Sequence, residues 1–242
     1  MRPRYFVLRE VELVTGETTL PVEAGHHVRD VLRLRSGSSI ELSDGRGRIA
    51  SAEVLDARRE VRVRVGAVRE VPRPSTRLTL MQAVSKSDKV DRVIRAAAEL
   101  GISRFVPVFT ERTVAEREHR KERWASIAED AARVSGRPFL MEVEAPASLA
   151  ELLGRQRSGA SLCFAGDGAR SFSQLSLTGA ASVEALVGPE GGLGASELTA
   201  IERAGFTRVH LGPYTLRTET AGAAVAALLA FITGGLDEPS RG

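Results

Sequence analysis

Cys163 is the only cysteine in this chain, which excludes an internal disulfide and any cysteine-rich zinc site. It sits in a short apolar run, where a free thiol reads as a small core residue. No apolar run approaches the ~20 residues needed to span a bilayer. The first residues, Met1-Arg2-Pro3-Arg4-Tyr5, lack the apolar core of a signal peptide, so a cytoplasmic location is expected. Lysine is missing from residues 1–75, which hold 14 arginines against 11 carboxylates. Residues 76–242 hold 20 basic and 20 acidic side chains, so the whole net charge of +3 lies in the N-terminal third. Local basicity of that size fits either a nucleic-acid surface or a plain solvated face.

Several familiar sites are missing as well. No G-x-x-x-x-G-K-[ST] occurs, which excludes a P-loop nucleotide hydrolase. Gly166-Asp167-Gly168 lacks the third glycine of a dinucleotide fingerprint, and no G-x-S-x-G elbow exists. None of the histidines, His26, His27, His119 and His210, stands in metal-ligand spacing with carboxylates, so no metal is expected.

What is present divides into two parts. At 242 residues, 43% hydrophobic and 27% charged, the chain has the composition of a soluble globular protein of one large or two modest domains. The first seventy residues carry short β-branched or apolar runs at 5–8, 19–22, 39–43, 48–55 and 60–65. Val61, Val63 and Val65 alternate with Arg62 and Arg64, as in a strand with one wet face. Asp44-Gly45-Arg46-Gly47 predicts a hairpin turn, and Val28, Val31 and Leu32 predict one short helix over 27–34. Many short strands suggest a small barrel. Two prolines in Val71–Thr76 mark a linker, after which strands and helices alternate. Strands are expected at 78–84, 102–108, 161–165, 183–187 and 206–211. Helices are expected at 88–100, around Trp124–Val134, and after the capping pair Ser148 and Glu151. That alternation predicts a parallel sheet covered on both faces.

The stretch with chemical promise runs from Val183 to Ala221. Its first apolar run ends at Gly188-Pro189-Glu190-Gly191-Gly192, its second at Leu211-Gly212-Pro213, and Leu216-Arg217-Thr218-Glu219-Thr220 leads into a helix of small residues. Ligands of open α/β sheets bind at the carboxyl ends of strands. Backbone groups at both corners suit an adenine edge, with Leu186, Leu211 and Leu216 as apolar walls. Arg217 suits a phosphate or a nucleobase carbonyl, and Glu190 and Glu219 suit hydrogen bonds or a proton. Two tight turns and an Arg–Glu ion pair would account for the same residues. The small-residue helix permits close backbone approach within the fold or across a dimer.

These segments resemble the RsmE family of ribosomal RNA methyltransferases, within the SPOUT superfamily of knotted methyltransferases. The likeness rests on Val187–Gly192, Leu211–Pro213 and Leu216–Ala221. It is supported by Lys86 with Asp88 and Lys89, by Glu99-Leu100-Gly101 and Ser135-Gly136-Arg137, and by His27 with Val31-Leu32-Arg33 and Gly37. The resemblance implies an α/β fold: a C-terminal SPOUT domain with a parallel sheet and a trefoil knot, residues 73–242, after an N-terminal PUA-like β-barrel, residues 1–72. It implies a homodimer, S-adenosylmethionine as cofactor, and methylation of N3 of one uridine in 16S ribosomal RNA or the small subunit. Cofactor contacts would fall on Phe164, Gly166, Leu186, Gly188, Pro189, Glu190, Gly191, Gly192, Leu211, Gly212, Leu216, Thr220 and Ala221. RNA contacts would fall on Arg33, Lys86, Arg112 and Arg137, with Arg9 and Arg62 as further basic candidates. Departures from the family pattern are Gly194 in place of a capping Ser, Tyr214-Thr215, Val134 and Met141.

Methylating uridine N3 removes a proton from an imide, which calls for a base or a cation beside an aligned methyl group. The expected catalytic pair is Arg217, on the uracil carbonyl or flanking phosphate, and Glu219, orienting Arg217 or taking the proton. Competing expectations are a non-catalytic RNA-binding or ribosome-assembly factor, and a knotted methyltransferase for another RNA.

Overall fold

The computed structural model describes residues 4–9, 11–85, 88–113, 121–165 and 170–237. By its contacts the chain divides into two units. One comprises residues up to 73 together with 132–140, and the other comprises 74–131 with the chain from 141 onward.

The first unit is built on β1 (Arg4–Val7), β2 (Gly16–Thr19), β3 (Ser39–Ser43), β4 (Arg48–Asp56), β5 (Arg62–Val65) and β6 (Arg69–Glu70). They form one sheet in the order β1-β3-β4-β5-β2, with β6 paired to β4. Only β1 and β3 run parallel; the other pairs are antiparallel. Val61, Val63 and Val65 are buried between exposed Arg62 and Arg64, joining a core of Phe6, Val28, Ile40, Leu42 and Val54. The β3–β4 turn forms where expected: the Asp44 carboxylate accepts from Arg46 N at 2.7 Å and Arg48 N at 3.0 Å.

The expected single helix over 27–34 differs. Helix α1 (Val22–His26) starts five residues earlier, after Pro21, and continues as a π-turn over His27–Val31. Leu32 N bonds to His27 O, an i to i+5 closure, so side chains three apart no longer share a face. Val28 is buried while Val31 is 55% exposed. Arg33 then takes φ +52°, the only non-glycine residue at positive φ among those described.

The second unit is a parallel sheet of β7 (Arg77–Ala83), β8 (Arg104–Phe109), β9 (Glu142–Val143), β10 (Ala147–Ser148), β11 (Ala160–Phe164), β12 (Arg170–Ser171), β13 (Ser182–Val187) and β14 (Thr207–His210). Its order is β10-β8-β7-β13-β11-β14-β12, with β9 beside β8. Both faces are apolar, as a fully covered parallel sheet requires. Leu80, Phe105, Leu162 and Ala185 point to one core, and Met81, Val106, Cys163 and Leu186 to the other.

Helices α2 (Lys89–Glu99), α3 (Lys121–Ser135), α4 (Leu149–Leu153), α5 (Ala195–Arg203) and α6 (Thr218–Ile232) cover it. Gly101, at φ +91°, ends the first of these as its position predicts. Ser148 and Glu151 form the expected reciprocal cap, Glu151 N donating to Ser148 Oγ at 3.2 Å and Ser148 N to Glu151 Oε2 at 2.7 Å. The small residues of α6 serve close packing on α2. A Cβ built on Gly222 would lie 2.4 Å from Gln82 Oε1 and 2.7 Å from Val93 Cγ1. No helix among the described residues is long and apolar enough to cross a membrane.

Candidate functional site

The carboxyl ends of β7, β13, β11 and β14, neighbours in the sheet, open onto the two glycine corners and the first turn of α6. Gly192 N donates to Pro189 O at 2.9 Å, closing the first corner, and Gly192 takes φ +71°. Three side chains hold that corner from outside. Arg112 Nη1 donates to Gly191 O at 2.6 Å, Lys89 pairs with Glu190, and Thr218 Oγ1 donates to Gly188 O at 3.0 Å.

The last of these bonds is part of a chain. Gln82 Nε2, on β7, donates to Thr218 Oγ1 at 2.8 Å. An amide nitrogen can only donate, so the single hydroxyl proton of Thr218 is left for the Gly188 carbonyl. Gln82 is 1% exposed and Thr218 4%, so each bond is made out of water. Three segments distant in sequence are thereby tied together: the end of β7, the first glycine corner and the start of α6. Gln82 and Thr218 are the residues of the candidate site that the sequence reading did not single out. Thr218 lies inside the recognised Leu216–Ala221 run, but no local pattern marks Gln82.

Beyond the corner, Glu197 is 6% exposed and its carboxylate accepts from Gly194 N at 2.8 Å and Glu111 N at 2.9 Å. Half of a capping box therefore survives the glycine at position 194, which has no side chain to return the bond.

The second corner is less tied. Gly212, at φ +120°, donates from its backbone to His210 Nδ1 at 3.3 Å. Tyr214 is 84% exposed and Leu216 38%. Arg217 is the exposed N-cap of α6 in extended conformation, and no ion pair joins it to Glu219. Glu219 Oε2 is buried without a hydrogen-bond partner. The bland alternative of an Arg–Glu ion pair is thus absent, and an unmet acceptor stands on the first turn of the helix.

The remaining predicted positions scatter. Leu186 is fully buried in the sheet core, and Phe164 is 6% exposed with its ring 6.1 Å from that of Phe172. Pro189, Leu211, Gly212 and Ala221 are half-buried and Thr220 is exposed. Gly166 and Lys86 lie outside the described residues. Arg112 is engaged with the glycine corner. Arg33 and Arg137 belong to the first unit. Burial pushes the Arg137 guanidinium below its usual range, and its carbonyl accepts from Tyr5 Oη at 3.0 Å. Arg62 pairs with Glu17 at 2.8 Å, and Arg9 also has a partner. No group of three or more metal-ligating side chains is placed to hold an ion among the described residues.

Residues 72–230 match the RNA methyltransferase domain family, and residues 20–66 match the RNA methyltransferase PUA domain family. The chain is 32% identical over 226 residues to a ribosomal RNA small subunit methyltransferase E of Mycobacterium bovis, covering 89% of this chain and 86% of that one. The same-named protein of Aquifex aeolicus is 33% identical over 176 residues, 71% of this chain and 76% of the other. A ribosomal RNA small subunit methyltransferase E from Neisseria gonorrhoeae, solved bound to S-adenosyl methionine, superposes with TM-score 0.88. It is 28% identical, over 96% of this chain and 98% of that one. A methyltransferase from Legionella pneumophila, solved with bound SAM, gives TM-score 0.89 at 27% identity, covering 96% and 99%.

Proposed function

The chain belongs to the ribosomal RNA small subunit methyltransferase E family, and on that premise we propose that it methylates N3 of one uridine of 16S ribosomal RNA from S-adenosylmethionine. The observation that carries this reading is the pair of glycine corners joined through Thr218 at the carboxyl edge of the sheet. Beside them stand an exposed Arg217 and a buried, unpartnered Glu219 Oε2.

The residues present fit the cofactor. Its hydroxyl, amino and sulfonium groups are donors or cations, and Glu219 Oε2 is an unmet acceptor on the first turn of α6. Backbone groups of Gly188–Gly192 and Leu211–Gly212, with Leu216 as an apolar wall, would hold the nucleoside. When bound, S-adenosylmethionine supplies an electrophilic methyl group.

This chain's own contribution is to hold the uracil and its proton. Arg217 stands at the N-terminus of a 15-residue helix, so guanidinium and helix dipole both favour negative charge developing on the uracil carbonyl. Glu219, on the same turn but not bonded to Arg217 in this structure, would accept the N3 proton or orient Arg217 once substrate is bound. The division of labour runs between residues 73–242, which carry the chemistry, and 1–72, which position the RNA through its phosphates. The trefoil knot and the homodimer belong to the same reading. α6, the last helix, packs on α2 and β7 from the start of its unit. Phe231, 66% exposed, and Leu236, 49% exposed, are the surface a second copy would cover. Ribosomal RNA as the substrate supports a cytoplasmic location.

Arg217→Ala and Glu219→Gln are expected to lose methyl transfer to 16S ribosomal RNA by at least tenfold, with calorimetric binding of S-adenosylmethionine retained in the Arg217 variant. Wild-type turnover in both would sink the catalytic assignment. Loss of one methyluridine from the rRNA of a deletion strain, read by mass spectrometry, tests the substrate; an unchanged rRNA would favour a non-catalytic assembly factor.

A further inference from the structure

Two groups of arginines in the first unit differ in their partners. On the sheet, Arg48, Arg62, Arg64 and Arg69 are each paired: with Glu12 at 3.7 Å, Glu17 at 2.8 Å, Glu17 at 3.1 Å and Glu41 at 3.3 Å. At the end where β4 runs into β5, the situation is reversed. Arg33, Arg35, Arg58 and Arg59 are exposed, and none of their side chains makes a hydrogen bond or ion pair.

These four are brought together by the backbone. Gly37 N donates to Val54 O at 2.8 Å, which lays the loop after the π-turn against the end of β4. Arg29 Nη1 reaches Arg59 O at 2.7 Å, which holds the π-turn beside the β4–β5 turn. Arg4 adds a charge there, since its Nη1 donates at 3.2 Å only to the neutral carbonyl of Leu32. The local carboxylates cancel only part of the patch. Asp30 is taken by Arg29 at 2.6 Å, while Asp56, bonded at 3.0 Å to a neutral N–H of its own turn, and Glu60 keep their charge against the five guanidiniums.

A second observation points the same way. Arg33 closes the helix at φ +52°, a position that glycine fills without strain and an L side chain does not. An arginine at a position that costs the fold strain points to a use for its side chain.

We propose that this end of the β-unit, presenting Arg4, Arg33, Arg35, Arg58 and Arg59, is the surface that grips the phosphate backbone of the ribosomal RNA. The proposal rests on the reading of the chain as an rRNA methyltransferase and adds the place of contact. Guanidinium forks match phosphate oxygens two bonds at a time, and a fork without a carboxylate has no ion pair to break. The paired arginines of the sheet would have to break an ion pair first. Phosphate contacts fix register and carry no sequence information, so this surface positions the substrate and leaves the choice of base to the other unit.

The test is the salt dependence of full-chain binding to a 16S ribosomal RNA transcript. Each phosphate contact contributes about 0.7–0.9 to the slope of log affinity against log salt. Combining Arg33→Ala, Arg35→Ala, Arg58→Ala and Arg59→Ala should flatten that slope by about 3. The KM for RNA should rise, the loss should be equal on an unrelated transcript of the same length, and calorimetric affinity for S-adenosylmethionine should be unchanged. Arg64→Ala with Arg69→Ala, which removes two paired charges, should leave the slope alone. Should the fourfold variant fold poorly, Arg33→Ala with Arg35→Ala and Arg58→Ala with Arg59→Ala carry the same test at half the size. An unchanged slope, or equal flattening in the paired control, overturns the surface. Wild-type protein that binds the transcript but transfers no methyl group overturns the enzymatic reading and leaves the surface standing.

Discussion

The two glycine corners look alike in sequence and are held quite differently. Gly188–Gly192 is gripped by Arg112, Lys89 and Thr218, side chains from three other segments. Leu211–Arg217 is held by Gly212 N on the His210 ring and by Ala221 N on Arg217 O, with no side chain from another described segment bonded to it; Tyr214 stands in solvent and Leu216 is partly exposed. One corner is tied by side chains of the protein itself, and the other leaves Tyr214 and Arg217 exposed. On the proposed function, preorganisation of the first would lower the ordering cost of binding, and the second would supply contacts that form only with the ligand.

The largest way to break this contrast is at Gly222, where the start of α6 rests on Gln82. Gly222→Val is expected to destabilise the protein by about 1–3 kcal/mol through overpacking and to loosen both corners at once. Urea unfolding would register it, and an unchanged midpoint would mean that the contact on Gln82 Oε1 does not hold the helix.

Thr218→Val is the next largest. It keeps the shape but strands the Gln82 donor and the Gly188 carbonyl, at about 1–3 kcal/mol for a buried unmet polar group. Calorimetry should find S-adenosylmethionine bound about tenfold more weakly, equivalent to roughly 1.4 kcal/mol. Thr218→Ser, which keeps the hydroxyl, should restore both values, and a serine variant as poor as the valine would dissolve the link between the corners.

Tyr214→Ala should have the smallest effect on the fold, within about 0.5 kcal/mol as for an ordinary surface change. Its effect should appear in ligand or RNA affinity. A fall in melting temperature of several degrees would mean that the second corner is as built as the first.

How far sequence alone reaches can be seen in the same places. Val61, Val63 and Val65 announced their strand because their spacing is itself the physical cause of burial on one face. The Asp44–Gly47 turn and the Ser148–Glu151 cap were equally legible, since each is closed by atoms within four residues. The π-turn was not, because one extra residue in a helical turn leaves no compositional trace. Gln82 was invisible for a different reason: its partner Thr218 is 136 residues away and reaches it only when the sheet has formed. Arg112 was expected at the RNA; that its guanidinium also holds the Gly191 carbonyl could not be read from the sequence. The glycine corners themselves were legible as a candidate site; the bonds that distinguish one from the other were not.

The order of strands also has a consequence for synthesis. β13 sits between β7 and β11, and Ser182 pairs with Arg77. A ribosome adding about 5–20 residues per second leaves β7 waiting roughly 5–20 seconds for that neighbour. Meanwhile β8 can cover one of its edges, and the other stays open on a strand carrying Leu78, Leu80 and Met81. An open apolar edge on a nascent chain is a site for wrong pairing. The middle of this sheet is therefore among the last parts to form, and it is the part from which the first glycine corner springs.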